Sequence, residues 1–301
     1  MQLGPLLERC RFPECDSELA LAVSGGADST AMALLAAESG RSMVLWHVDH
    51  GLGPQAADYV DLVTSLADRL GAPLELRSVE VADGSDLEAR ARSARYGVLP
   101  ENVCVAHTAD DRAETILFNL FRGGGLAGVA APFGRVSRPL IDLRRDETVA
   151  VCRHFDVAVA SDPMNVDETF TRVGVRRRLL PLASEVFGRD PVPLLNRHAD
   201  LVADALAVVQ ILASDVEPTD VSALRAAPSA VASEALRLWI RAETGSSTSV
   251  DSASIERVMA VVRGEAVATE VIGGHRVART AGRLRVERVK DDGTDPTMVQ
   301  Q

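Results

Sequence analysis

LALAVSGGADSTAMALLAA, residues 19–37, is the stretch on which the reading of this chain turns. Small apolar residues run into Ser24-Gly25-Gly26-Ala27-Asp28-Ser29-Thr30 and leave as an alanine- and leucine-rich segment, the pattern of strand, glycine turn and helix. Glycine permits positive φ and a close approach to the main chain, so successive N–H groups can converge on one anion. Ser29 and Thr30 add hydroxyls near the helix N-terminus, where the dipole favours negative charge. No lysine follows the glycines, so this is neither the GxxxxGK[ST] loop nor GxGxxG. Asp28 is misplaced beside a phosphate unless a cation lies between them, which points to Mg²⁺.

The pattern repeats outward from this turn. Apolar strands are expected at 19–23, 43–48, 74–81, 103–106 and 156–160, with helices at 28–39, 55–70, 86–98, 111–121 and 142–154. Short apolar strands alternating with helices predict a parallel sheet covered on both faces, an α/β fold of Rossmann-like type. Ligands of such sheets bind where loops leave the C-terminal strand ends. After about residue 187 the rhythm changes. Helices are expected at 196–213, 229–243 and 251–263, then a β-meander with turns at Gly273-Gly274 and Ala281-Gly282. The expected organisation is a catalytic domain at 1–188, a smaller, mostly helical substrate domain ending in the meander at 189–290, and a disordered tail at 291–301.

Composition narrows the function classes. With 301 residues, 47% hydrophobic and 25% charged, the profile is that of a soluble globular protein of one or two domains. No apolar run reaches membrane-spanning length and the N-terminus lacks the pattern of a secretion signal, so a cytoplasmic protein without membrane association is expected. Cys10, Cys15, Cys104 and Cys152 form no CxxC pair and read as idle thiols. The net charge of −11 argues mildly against a general nucleic-acid binder. Of the 32 basic residues all but Lys290 are arginine, so a catalytic amine near the site has to come from outside the chain.

SGGADST resembles the SGGxDS loop of the ATP pyrophosphatases, the PP-loop enzymes. The resemblance implies that the loop holds the pyrophosphate end of ATP and that the α-phosphate is attacked, AMP passing to a substrate oxygen. A lysine for a travelling γ-phosphoryl group is then unnecessary. Further segments narrow the resemblance: HVDHGL at 47–52, the DLEARARSARY run with Glu88, Arg92, Arg95 and Tyr96, and AHTADDRAET at 106–115. Then come Arg122-Gly123-Gly124-Gly125, Arg138-Pro139-Leu140, and SDPMNVDETFTRVGVRRRLLP at 161–181. In this order they are similar to the tRNA(Ile)-lysidine synthase family, closely over about 18–190 and loosely beyond. Departures are Gly53, Arg112 and Val173, where that family often has arginine, glutamine and asparagine; none touches a carboxylate or the glycine loop.

What the resemblance implies is ligation of free L-lysine to C2 of the wobble cytidine of tRNA(Ile) with a CAU anticodon, using ATP and Mg²⁺. Dimers occur among such enzymes, so a homodimer stays open. Residues expected at ATP are Ser24, Gly25, Gly26, Ala27, Asp28, Ser29, Thr30, His47, Asp49 and His50, with Asp28 and Asp110 at the metal. Asp111 and Glu114, spaced i, i+3 on one helix face, are expected to receive lysine, and Asp28, His107, Asp111 and Glu114 to form the catalytic group. Either Asp111 or His107 is placed to take the proton of the attacking amine. Glu88, Arg92, Arg95, Arg122, Arg172, Arg176 and Arg177 are expected at the tRNA, with Arg178 in the same basic run and the RGGG segment as a mobile loop. Competing readings are a PP-loop ligase or tRNA thiolase of other specificity, and a nucleotide-binding regulator without catalysis. The cysteine spacing disfavours the thiolase, and four carboxylates near the turn disfavour the regulator.

Overall fold

The computed structural model describes residues 1–14, 18–49, 56–79, 94–130, 136–160, 171–245 and 250–289. Contacts divide the chain into two units, Met1–Phe118 with Phe133–Arg197, and Asn119–Pro132 with His198–Gln301. In this division the C-terminal part runs on from His198, and residues 119–132 group with it.

In the first unit, the short helix α1 (Gly4–Leu7) precedes β1 (Leu19–Ala22), which leads through the glycine turn into α2 (Ala27–Glu38). Then follow β2 (Met43–Asp49), α3 (Ala56–Leu70) and β3 (Leu74–Ser78). The three strands are parallel in the order β1-β2-β3, with Leu21 opposite Leu45 and Leu45 opposite Leu74. On the free edge of β1, Cys104 pairs in parallel with Leu21 and, on its other side, with Ser137. The chain thus travels outward through β2 and β3 and returns to the opposite edge of β1. Order reverses between β1 and Cys104, and that is where an open α/β sheet leaves a crevice.

Local sequence explains these elements. α2 is alanine-rich and buried on every side from Ser29 to Ala36, so small side chains let it lie against the sheet. Leu21, Leu45, Met32, Leu34 and Leu35, all fully or almost fully buried, form the centre of the core with Leu140 and Leu143. α3 is amphipathic and turns Val63, Leu66 and Ala67 inward. After Cys104 come α4 (Ala109–Phe121), α5 (Gly125–Ala130) and α6 (Arg145–His154). Then α7 (Thr171–Gly174), a π-helical turn at Val175–Leu179 and α8 (Leu180–Phe187) run on without a break.

Two expected strands differ. The 103–106 segment contributes only Cys104, bridged to Leu21 and to Ser137, because a turn at Pro100 precedes it and α4 begins at Ala109. Residues 156–160 make no strand: Asp156 adopts positive φ (50°) beyond the end of α6, and Val157 folds back to donate to Cys152 O. The expected helix at 86–98 is helical over 94–98, and its earlier part lies outside the described residues. The RGGG segment is a closed turn. Gly123 and Gly124 N–H donate to Leu120 and Asn119 carbonyls, and Asn119 Nδ2 donates to Gly128 O at 3.0 Å.

α9 (Pro191–Ser214) begins in the first unit and continues into the second, where α10 (Val221–Ala226), α11 (Ser229–Thr244) and α12 (Ser252–Arg263) follow. Asp220 and Asp251 cap α10 and α12 through side-chain acceptors. β4 (Ala268–Val271), β5 (His275–Thr280) and β6 (Arg283–Arg288) form the expected antiparallel meander. Its second turn, Ala281-Gly282, has both φ values positive (49° and 77°), the form that matches strand twist in a two-residue hairpin. Leu236, Ile240, Val258, Val262 and Val277 form this unit's separate core. Among the described residues no helix is long and apolar enough to cross a membrane.

Leu21 lies at the centre of the first sheet with its side chain fully buried. Leu21→Ala is expected to destabilise that unit by about 2–5 kcal/mol, read as an earlier first transition in urea unfolding. An unchanged transition would mean the β1 core is not the keystone of this unit.

Candidate functional site

The glycine turn leaves the C-terminal end of β1. Gly25 has φ +83°, a conformation side-chain-bearing residues rarely adopt, and its carbonyl accepts from Ala160 N–H at 2.8 Å. Ser29 Oγ, buried, receives Ser24 N–H at 3.1 Å and lies 3.0 Å from Gly26 O, so it braces the turn from within. Thr30 is buried as well. Gly26 is the N-cap of α2 and no side chain caps it. The first amides of α2 are therefore directed at a place an anion can take.

Across the strand-order reversal, the segment after Cys104 brings in a second set. His107 ends the strand-like segment, and its Nδ1 accepts from Arg138 Nε at 2.9 Å. Asp111, in the first turn of α4, accepts the Thr108 N–H and hydroxyl on Oδ2 at 2.7 and 2.9 Å. Glu114 follows one turn later with only 5% of its side chain exposed. Asp28, at the start of α2, faces the same space.

What joins these carboxylates is Arg145, the first residue of α6, which sequence reasoning passed over. Its guanidinium reaches Asp111 Oδ1 at 2.5 Å, Glu114 Oε1 at 3.0 Å and Asp28 Oδ2 at 3.7 Å. Thr148, one turn further along α6 and fully buried, donates to Asp28 Oδ1. Arg176, in the π-helical turn, forks onto Glu114 with Nε–Oε1 at 2.7 Å and Nη2–Oε2 at 3.1 Å. Single π turns recur at functional sites because they re-aim one side chain. The only signal available for Arg145 was arithmetic: several carboxylates around a turn without lysine require cations from somewhere, and Arg144-Arg145 stand just before a helix.

The electrostatics follow from the geometry. Burial pushes the Asp28 carboxyl up to about 6, with Asp111 adding to the rise while the Thr148 hydroxyl, Arg145 and Arg176 oppose it. Among the described residues three carboxylates face two guanidiniums here, one positive charge fewer than negative. Asp110 is different. Burial acts against its charge, but the Arg144 fork and the Arg145 amide outweigh burial and hold its carboxyl below the usual range. Both Asp110 oxygens are engaged, with Arg144 Nε and Nη2 each at 3.0 Å and Arg145 N at 2.9 Å.

The expected residues therefore separate. Asp28, Asp111 and Glu114 come together, whereas the metal role expected of Asp110 meets a carboxylate already clamped into the frame of α6. His47 is buried in β2, with Nδ1 2.8 Å from Val23 O, which ties it to the strand before the turn. Asp49 ends β2, and His50, Glu88 and Arg92 lie outside the described residues. Arg95 stacks over Tyr96 at 5.5 Å. The basic run splits: Arg172, over Phe118 at 5.4 Å, is exposed with Arg177 and Arg178, but Arg176 turns inward. Arg122 sits exposed on the closed turn after α4, in the second unit.

Among the described residues no three His, Cys, Asp or Glu side chains form a metal-holding cluster. Mg²⁺, however, commonly keeps its waters and takes one or two carboxylates together with substrate phosphates. Asp28 fits that donor set: it is a desolvated carboxylate at the mouth of an anion-receiving turn, with its nearest cation at 3.7 Å.

A strand–glycine turn–helix with acidic groups across the sheet's reversal point defines a nucleotide-binding α/β domain of PP-loop type. A PP-loop domain model matches residues 5–183. A tRNA(Ile)-lysidine synthase of Mycobacterium bovis is 34% identical, over 95% of this chain and 92% of its own length. That of Corynebacterium glutamicum is 32% identical over 93% of each, and that of Rhodococcus jostii 37% identical over 75% of each. The chain belongs to the tRNA(Ile)-lysidine synthase family of PP-loop ligases. A U34-tRNA thiolase from Methanococcus maripaludis, solved with its [4Fe-4S] cluster, shares the fold at TM-score 0.52 and 16% identity, over 64% of this chain and 74% of its own.

An acid whose pKa rises on folding loses stability as pH climbs through its folded value. Ionised Asp28 is thus a burden to the fold above about pH 6, up to roughly 2–3 kcal/mol. Asp28→Asn is expected to raise Tm near neutral pH, and its advantage over wild type to vanish toward pH about 4. A thermal-unfolding series across pH tests this; an advantage independent of pH contradicts it.

Proposed function

We propose that this chain joins free L-lysine to C2 of the wobble cytidine of a CAU-anticodon tRNA(Ile), consuming ATP and releasing AMP and pyrophosphate. The observation that carries the reading is the convergence of Asp28 from the phosphate turn with Asp111 and Glu114 from α4 at one point of the sheet. Family membership supports the same reaction.

The Ser24–Ala27 turn takes the pyrophosphate end of ATP on its amides. Cytosine O2 attacks the α-phosphate, a P–O bond forms, and pyrophosphate leaves along the turn. The lysine ε-amine then attacks C2, and AMP departs with the former O2. Mg²⁺, when bound, would be held by Asp28 together with ATP and would offset charge on the phosphates. Asp111 and Glu114 receive a positively charged group of lysine.

The amine, with an ordinary pKa of about 10.4, has to lose a proton before it attacks. Asp111 is the better acceptor of the two candidates. The His107 ring already uses Nδ1 to accept from Arg138, so taking a further proton there would break that bond and set two cations side by side. Asp111 stands in the carboxylate group itself. Holding base, nucleotide and amine in one crevice removes the entropy of a three-body encounter.

Exposed Arg172, Arg177 and Arg178 supply backbone-phosphate contacts, with Arg95 and Arg122 further candidates, and the target base is read from a single-stranded loop. A cytoplasmic location belongs to the same proposal.

The test is direct. Purified protein with ATP, Mg²⁺, labelled lysine and CAU-anticodon tRNA is expected to give labelled tRNA, AMP and pyrophosphate. ATP binding without turnover on any tRNA would favour a regulator instead. Asp28→Ala is expected to cut pyrophosphate release by roughly 10²- to 10³-fold with an unchanged circular dichroism spectrum; normal release would remove Asp28 from the phosphate site.

A further inference from the structure

Among the described residues Arg145 is the one cation within ion-pair reach of both halves of the site. Asp28 belongs to the phosphate turn, and Asp111 and Glu114 belong to the amino-acid side, yet one guanidinium spans all three at 3.7, 2.5 and 3.0 Å. Its main chain is fixed, since the Arg145 amide donates to Asp110 Oδ2 at 2.9 Å and the Arg144 fork holds the same carboxylate. Its side chain is not fixed in the same way. Arg176 makes a two-point fork on Glu114 and reaches Asp111 Oδ1 only at 3.8 Å, so one carboxylate holds both of its hydrogen bonds. Arg145 divides its donors among three acceptors and forks onto none. A guanidinium so divided is the one an incoming phosphate can redirect.

We propose that Arg145 orders the two small substrates: it holds the carboxylates meant for the amino acid, and ATP draws it toward its phosphates and frees them. The inference rests on the lysine-ligase reading above and deepens it. The ammonium of lysine and the guanidinium of Arg145 compete for Asp111 Oδ1 and Glu114 Oε1. Nucleotide seated in the Ser24–Ala27 turn places negative charge beside Asp28, where Arg145 Nε already reaches. Redirecting Arg145 leaves Asp111 and Glu114, among the described residues, with Arg176 alone against them, one positive charge short. Lysine fills that place. The order suits the chemistry, because an amine admitted before the base is adenylated has no electrophile to attack. Arg145 is here a positioning residue, acting through the carboxylates.

Coupling of this kind is reciprocal and measurable as a ratio of affinities. Calorimetric titration of L-lysine into the full-length protein, with and without Mg²⁺ and α,β-methylene-ATP, reads it without turnover. In wild type the nucleotide analogue is expected to tighten lysine binding by about tenfold or more. In Arg145→Gln the free protein is expected to bind lysine as tightly as it does with the analogue, within about twofold. Arg145→Lys, which keeps the charge, is expected to retain part of the ratio.

Equal lysine affinity with and without the analogue in wild type would overturn the proposal without any variant. So would a full ratio surviving in Arg145→Gln. Absence of lysine binding under both conditions, with the analogue bound, would instead bring down the lysine-ligase reading and this inference with it, an outcome distinct from the other two.

Discussion

Everything functional in this molecule depends on the side of β1 to which Cys104 pairs. Had the chain continued outward beyond β3, the loop after Cys104 would open far from the glycine turn. Pairing Cys104 with Leu21 on the edge opposite β2 reverses the strand order and sets two loops, residues 23–28 and 105–111, on either side of one crevice. The hydrogen bonds that enforce it are ordinary ladder bonds, Cys104 N to Ala20 O at 2.7 Å and Ala22 N to Cys104 O at 2.9 Å. Their effect is to convert residues distant in sequence into one charged group.

Bringing acidic groups together has a cost, and α6 meets it. Burial pushes the Asp28 carboxyl up, and the neighbouring Asp111 charge adds to the rise. Arg145, Thr148 and the Arg144–Asp110 fork all lie on or beside the first turn of α6, so one helix start supplies the counter-charges and fixes their main chain. The same helix packs Val151 and Cys152 into the core around α2, so the charged frame and the phosphate turn share a rigid support. The π-helical turn contributes Arg176 from another direction. The site is built from the N-terminal ends of α2, α4 and α6, where an aspartate, an aspartate with its glutamate, and an arginine meet.

Much of this was legible in the sequence because local pattern carried it. The glycine turn, the i, i+3 pair on α4 and the hairpin glycines each depend on residues a few positions apart. The 156–160 segment misled because a short apolar run after a helix reads as a strand, whereas here Asp156 and Val157 serve to end α6. The Arg172–Arg178 run read as one basic surface. A continuous α-helical period hides the π turn, which sends Arg176 inward while its neighbours stay exposed. From the sequence Asp110 is expected at the metal and Asp111 at lysine, although both stand side by side at one helix start. Adjacent positions on a helix face about 100° apart, and the two aspartates meet different arginines. Arg145 was illegible for a simpler reason: its partners lie more than thirty residues away.

The scarcity of lysine takes on meaning beside the proposed reaction. An adenylated base is an electrophile, and any neutral amine near it would compete with the substrate. Guanidinium groups remain protonated at all working pH values and are poor nucleophiles. A site framed by Arg144, Arg145 and Arg176 therefore supplies positive charge without supplying a rival amine. Lys290 is the single lysine of the chain. Composition biased toward arginine needs no functional cause. Its consequence for the chemistry is nevertheless the same: the amine that reacts has to be the one that binds.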